Sequence, residues 1–398
     1  DSSEARMKQP FAGVRVIEVG GTVAAAAATK TLCDFGAEVV KVEPLDGGVM
    51  RRLAPFLDDR PQLDGGGFHL ALDTGKRSLA LDVTTASGRQ VVAALAAGAD
   101  LLVQELPPDE AQALLATLPD GGASTVTITP HGLDGPFRDR IENDMSAFAW
   151  TTRMHRHAID GEEPQRYAPQ APTMQVGATA TAAGAAAIWH REQRGVRSSI
   201  EVAAVEAMAG NVDSFFAIWT FSGADLPRPA GPSKQAYVAG NYECADGFVL
   251  FASQGEPFFS RLCTGIGHPE LLEDPRFTDP AQKPLHWEEF MQYLDPWLRA
   301  RTRLEVFTQL QQHGVMVAPV LEAPDVLSDP QAVARGSFVE VVQPEGGTST
   351  IAGPPFRLPE AWEAQPAPRF AEHTTELLDE LGYSRDEQIA LFRAGVTA

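Results

Sequence analysis

Carboxylates, histidines and a few cations define the chemistry open to this chain. Asn143 and Asp144 begin a segment whose pattern predicts a helix to about Thr152. Asp144 is the polar residue best placed to enter a cleft, or equally to satisfy the amides of that helix's first turn. Glu142 lies two residues away and so faces elsewhere on a helix. His155 and His157 would give two metal ligands, but no third lies nearby, so they read as a surface loop and no metal is expected. His131 sits in an I-T-P-H-G turn, where packing is favoured over catalysis. No G-x-S-x-G elbow supports a Ser/His/Asp hydrolase.

The groups that could hold an anionic ligand stand earlier. Val14 to Val19 is a β-rich run, and Gly20-Gly21-Thr22 is a turn that lets backbone approach a ligand. Val23 to Phe35 is Ala-rich and suits a helix, Gly36 fits its C-terminus, and Glu38 to Val42 is the next buried strand. Such a βαβ unit places phosphate-bearing ligands beyond its strand ends, beside a helix N-terminus. Neither G-x-G-x-x-G nor a P-loop is present, so a plain opening of an α/β sheet fits equally well. Arg51, in a Gly/Pro/Asp-rich loop, and Lys76-Arg77, before the strand Ser78 to Val83, are the nearby cations.

The elements that follow continue the alternation. A helix to about Ala97, a strand Leu101 to Glu105, a helix through Leu118 and a strand Ser124 to Thr129 imply a parallel, doubly wound sheet of α/β class. Thr173 to Arg191 is a helix of almost entirely small residues, which allows close approach of another backbone or of a ligand. Residues 1–222 read as the N-terminal part of a large α/β domain, 223–233 as a Pro/Gly linker, and 234–318 as a smaller α+β domain. Residues 319–398 return to the large domain and close with two amphipathic helices. Val315 to Leu321 is the strand expected to lead back.

Composition narrows the function. With 32 Lys plus Arg against 53 Asp plus Glu, the formal charge is −21, which disfavours nucleic acid and anionic membrane surfaces as partners. Three scattered cysteines give neither a disulfide framework nor a zinc pattern and fit a reducing, cytoplasmic setting. No apolar run of membrane-spanning length exists, and the polar start is expected to be neither signal peptide nor anchor.

Segments in order along nearly the whole chain carry a resemblance: FAGVRVIEV, DFGAEVVKVEP, TGKRSLALDV, ITPHGLDGPFRDR, REQRG, GNYECADG, DPRF, VAPVLEAPDVLSDPQAVARGSF and RFAEHTTELLDELGYS. Together they resemble the family III CoA-transferases, the CaiB/BaiF group that includes formyl-CoA and carnitine CoA-transferases and α-methylacyl-CoA racemase. The resemblance implies a Rossmann-like large domain built from both chain ends, a smaller middle domain, and an interlocked dimer of two copies or of paralogues. It also implies coenzyme A or acyl-CoA as substrate, with no metal. Transferases of the family use one Asp that forms an anhydride and then an aspartyl-CoA thioester; Thr173 stands at its position, and a hydroxyl cannot form that anhydride. The racemases' His-Asp pair reads Asn143-Asp144, and their later Glu falls on Gly240. The CoA-binding Arg after the second strand is Pro44, and the family's N-F-R-P-G reads Glu105-Leu106-Pro107-Pro108-Asp109.

Three functions follow as expectations. The chain is an acyl-CoA enzyme whose chemistry avoids the aspartyl-CoA intermediate, with Asp144, Asn143 and Thr173 around the reacting group. Gly20, Gly21, Thr22, Arg51, Lys76 and Arg77 would then bind the cofactor. Alternatively it is a non-catalytic subunit paired with an Asp-containing paralogue, or a repurposed fold acting on a ligand without CoA.

Overall fold

The computed structural model describes residues 9–157, 160–210, 214–225, 228, 238–252, 255–344, 347–358 and 362–398. Most of the expected linker at 223–233 lies outside these residues. The chain divides into a larger unit of residues 1–155, 166–223 and 331–398 and a smaller one of 156–165 and 224–330.

The larger unit is α/β. Apolar, β-branched runs form six parallel strands: β1 (Arg15–Val19), β2 (Glu38–Glu43), β3 (Arg77–Ala80), β4 (Leu101–Gln104), β5 (Ser124–Thr129) and β6 (Ser199–Ala203). Their order is β3-β2-β1-β4-β5-β6, so the winding reverses between β1 and β4. The helices α1 (Val23–Asp34), α2 (Ala86–Ala97), α3 (Pro108–Leu115), α4 (Asp144–Ala149), α5 (Ala171–Arg194) and α6 (Ala204–Gly210) connect or cover them.

Strand alternation sorts the core into two layers. Val16, Val39, Leu101 and Val103 pack with α1 and α5 through Ala24, Ala28, Val176 and Ala180. Ile17, Val40, Val42 and Leu102 face the opposite side, with Val91, Leu95 and Leu114. The small residues of α5 have a packing reason: a Cβ on Gly177 would lie 2.7 Å from Ala27 Cβ and 2.9 Å from Ala24 O. Thr181 Oγ1 also donates to Ala28 O at 3.1 Å, tying the two helices together.

The smaller unit pairs β7 (Gly240–Cys244), β8 (Gly247–Phe251) and β9 (Val317–Pro319) in an antiparallel sheet. Val317–Pro319, expected to lead back to the large domain, instead completes this sheet, because β8 offers it an unpaired edge. Helices α7 (Phe258–Gly265), α8 (Trp287–Arg299) and α9 (Arg303–Gln312) bury Phe259, Leu262, Phe290, Leu294 and Leu310 beside it.

After Pro330 the chain rejoins the larger unit. It forms the hairpin β10 (Phe338–Val342) and β11 (Thr348–Ala352), then α10 (Thr374–Glu380) and α11 (Arg385–Arg393). Leu377, Leu378 and Val396 enter the sheet core, and Asp82 N donates to Val396 O at 2.8 Å. Both chain ends therefore build the large domain.

Candidate active site

The winding reversal opens a crevice at the carboxyl ends of the strands. Gly20 follows β1 at φ +132°, and a Cβ there would sit 2.4 Å from the backbone oxygen of Glu105, the first residue after β4. Only glycine fits this close approach. Beyond it lies a cavity of about 90 Å³ bounded by Ala24, Glu105, Thr129, Asn143, Asp144, Thr173 and Met208, among others. That space suits a carbonyl group and its immediate substituents.

Three sequence-predicted residues meet here. Asn143 caps α4, its Oδ1 accepting from Met145 N at 3.0 Å and Ser146 N at 2.9 Å, with Ser146 Oγ accepting from Asn143 N in return. Asp144 is half-buried, and its Oδ2 accepts from Gln170 N at 2.9 Å. Gln170 holds φ 65°, the turn from which α5 starts, so Asp144 steadies the entry to the helix that carries Thr173. Thr173 stands in the first turn of α5 and is half-buried.

Glu142 also borders the cavity but is committed elsewhere. The Ser146 hydroxyl, His131 and Trp150 hold its carboxyl below the ordinary range, with His131 Nε2 and Trp150 Nε1 each 3.0 Å from its Oε1. His131 packs edge-on against Trp150 beside the turn.

Sequence reasoning did not single out Glu105. Leu101 and Val103 face α1 and α5, and the next residue in that alternation is Glu105. Its Oε2 accepts hydrogen bonds from Thr22 Oγ1 and, at 3.2 Å, from Ala25 N in the first turn of α1. Thr22 precedes α1 without capping it through its own side chain, so the Glu105 carboxylate serves that turn instead. Loss of water around the carboxyl pushes its pKa up; the negative Glu18 adds to this, and the two donors offset it in part.

The predicted cofactor-binding residues do not all gather here. Gly20, Gly21 and Thr22 form the turn beside Glu105. Arg51 is fully enclosed, donating to both oxygens of Glu43 at 2.7 and 2.8 Å, to Asp64, and to Pro368 O at 3.3 Å. Lys76 is buried under α1, donating to Glu18 Oε2 at 2.7 Å, Asp73 Oδ1 at 3.0 Å and Ala26 O at 3.0 Å. Lys41 completes this cluster through Asp73, and its register partner across β1 and β2 is Glu18. Arg77 starts β3 at the opposite end of the sheet and pairs with Glu38 at 3.0 Å and Glu380 at 2.7 Å.

A second, mainly apolar cavity of about 770 Å³ runs past Phe56, Phe68, Leu72, Met174 and Ile351. It includes none of the predicted site residues. Among the described residues, no group of three or more His, Cys, Asp or Glu could hold a metal ion, and no helix is long and apolar enough to cross a membrane.

A doubly wound α/β domain with carboxylates facing a small cavity at its switch point defines a class of ligand-binding enzyme. The chain belongs to CoA-transferase family III, which its sequence matches over residues 11–374, and it is a CoA-transferase type enzyme. It is 28% identical to the succinyl-CoA:(R)-benzylsuccinate CoA-transferase subunit BbsE of Thauera aromatica, over 98% of each chain. It is 26% identical to the succinyl-CoA:mesaconate CoA-transferase of Haloarcula hispanica, over 93% of this chain and 96% of that one. The crystal structure of a CaiB/BaiF family protein from Brucella suis superposes with a TM-score of 0.81 at 25% identity, over 94% of this chain and 99% of that one.

Proposed function

We propose that this chain moves coenzyme A between a thioester and a carboxylic acid without an aspartyl-CoA intermediate at position 173. The observation that carries this is the cavity at the strand ends, where a half-buried carboxylate, Asp144, meets Thr173 in the first turn of a long helix. Asn143 shapes the wall, and the turn Gly20-Gly21-Thr22 is the candidate approach for the CoA end of the substrate. The relatives above are named for succinyl-CoA and dicarboxylic acids, and this makes succinyl-CoA the donor to try first. The test is to mix the purified chain with succinyl-CoA and mesaconate, glutarate or benzylsuccinate and look for new thioesters by mass spectrometry.

A second reading has its own support. Thr173 stands where the family's transferases keep their Asp, and the Thauera relative is named as a subunit. Under this reading the chain forms an interlocked heterodimer with an Asp-bearing paralogue. Transfer that appears only after co-production with such a paralogue favours it. No transfer in either arrangement refutes the proposal that this chain takes part in CoA transfer.

A further inference from the structure

Resting on the transferase reading above, we propose that Glu105 is the covalent nucleophile of this chain, its Oε1 attacking the thioester carbonyl while Thr22 and Ala25 hold Oε2. Three observations meet at this residue. Strand alternation brings its side chain to the wall of the cavity that also contains Thr173 and Asp144. Two fixed donors take one of its oxygens, Thr22 Oγ1 and Ala25 N at 3.2 Å, and among the described residues Oε1 takes no hydrogen bond. Among the described residues, no cation pairs with it. Glu142, by contrast, is held by His131 and Trp150, and Asp144 has a single amide donor from the loop before α5.

The chemistry closes on the groups present. Oε1 attacks the acyl carbon of the donor thioester, the C–S bond breaks, and the CoA thiolate leaves with its electron pair, giving a mixed anhydride. The thiolate then attacks Cδ of Glu105; a C–S bond forms, the anhydride C–O bond breaks, and the donor acid departs as its carboxylate. The acceptor carboxylate attacks the resulting glutamyl thioester and expels the thiolate, which attacks the acceptor's acyl carbon and returns Glu105 to its starting form. Only the thioester and the acid are consumed. Each attack at Cδ places negative charge on Oε2, where Thr22 O–H and Ala25 N–H already point. The donors that hold the resting carboxylate thus become an oxyanion hole, a role in which loss of one donor costs about 10²- to 10³-fold in rate.

The experiment uses the purified full chain with succinyl-CoA as probe. The intact mass is expected to rise by one CoA less water, and borohydride followed by peptide mapping is expected to place an alcohol at residue 105. Glu105→Gln keeps an oxygen for Thr22 and Ala25. It is expected to melt with the wild type, form no adduct, and lose transfer by roughly 10³-fold or more. Should that variant not fold, the wild-type peptide map still decides. Transfer without label at residue 105, or label on Asp144, overturns the nucleophile and leaves the transferase reading standing. Absence of both transfer and label, for the chain alone and for the chain co-produced with a paralogue, overturns both. If a paralogue is required, label confined to the partner's chain overturns the proposal.

Discussion

Lys76→Met separates a structural cation from a ligand-binding one. Lys76 is buried between Glu18 and Asp73, and its ammonium also reaches Ala26 O. Replacing it with an apolar chain of similar length leaves Glu18 with Thr29 Oγ1 at 2.5 Å and Lys41 Nζ at 3.8 Å, and leaves Asp73 to Lys41 and His69. Removing one partner of a buried ion pair costs about 3 to 5 kcal/mol, because the remaining charge stays enclosed and undercompensated. At roughly 1 to 2 °C per kcal/mol for a chain of this length, the melting temperature should drop by roughly 3 to 10 °C. Scanning fluorimetry reads this directly, and titration calorimetry with CoA reads the other role. Burial alone would lower the Lys76 pKa, but Glu18 and Asp73 outweigh it and the folded value is raised. A raised folded pKa means the stabilisation is complete below the ordinary lysine value of 10.5 and fades only as pH rises through the folded value. The drop should therefore be the same across the neutral range. An unchanged melting temperature with clearly weakened CoA binding would refute the structural assignment and return Lys76 to the ligand.

The other predictions test the site and its packing. Thr22→Val removes the hydroxyl that holds Glu105 Oε2, and should cut turnover by about 10²- to 10³-fold while CoA affinity stays within a few-fold; a loss confined to affinity would count against the oxyanion role. Burial, with Glu18 close by, raises the Glu105 pKa above the ordinary 4.5, so transfer should fall on acidification with a midpoint above that value, and a flat profile down to it would exclude Glu105 as the ionised reactant. The same raised value makes the fold favour the protonated acid, so this residue's contribution to stability is lost as pH rises through its folded pKa. Gly177→Val would push a side chain against Ala27 and Ala24 and should destabilise by about 1 to 3 kcal/mol in urea titration; a neutral outcome would mean that α1 and α5 are not held as closely as the structure has them.

The order of strands and helices was legible because β-branched runs and Ala-rich segments alternate through the first half of the chain. The polar run Thr348–Ala352 gave no such signal, and its strand exists because Phe338–Val342 offers it a partner. Asp144, Asn143 and Thr173 were placed by resemblance, and they border one cavity. Glu105 was not, because Thr22 lies 83 residues away and only the fold brings them together. One signal was nevertheless present. In V-I-E-V and V-V-K-V a charge sits inside a strand that parallel packing covers on both faces, so each must find a buried partner, and register pairs Glu18 with Lys41. Glu18 and Asp73 meet Lys41 and Lys76, and Glu43 meets Arg51. Half-buried Glu105, by contrast, meets only neutral donors among the described residues, and holding a carboxylate there without a cation is a cost the fold could have avoided with the neutral Asn of the family pattern. One Glu105 oxygen serves the first turn of α1, while the other is left without a hydrogen bond among the described residues at the wall of the cavity, and it is this second oxygen that the nucleophile proposal uses.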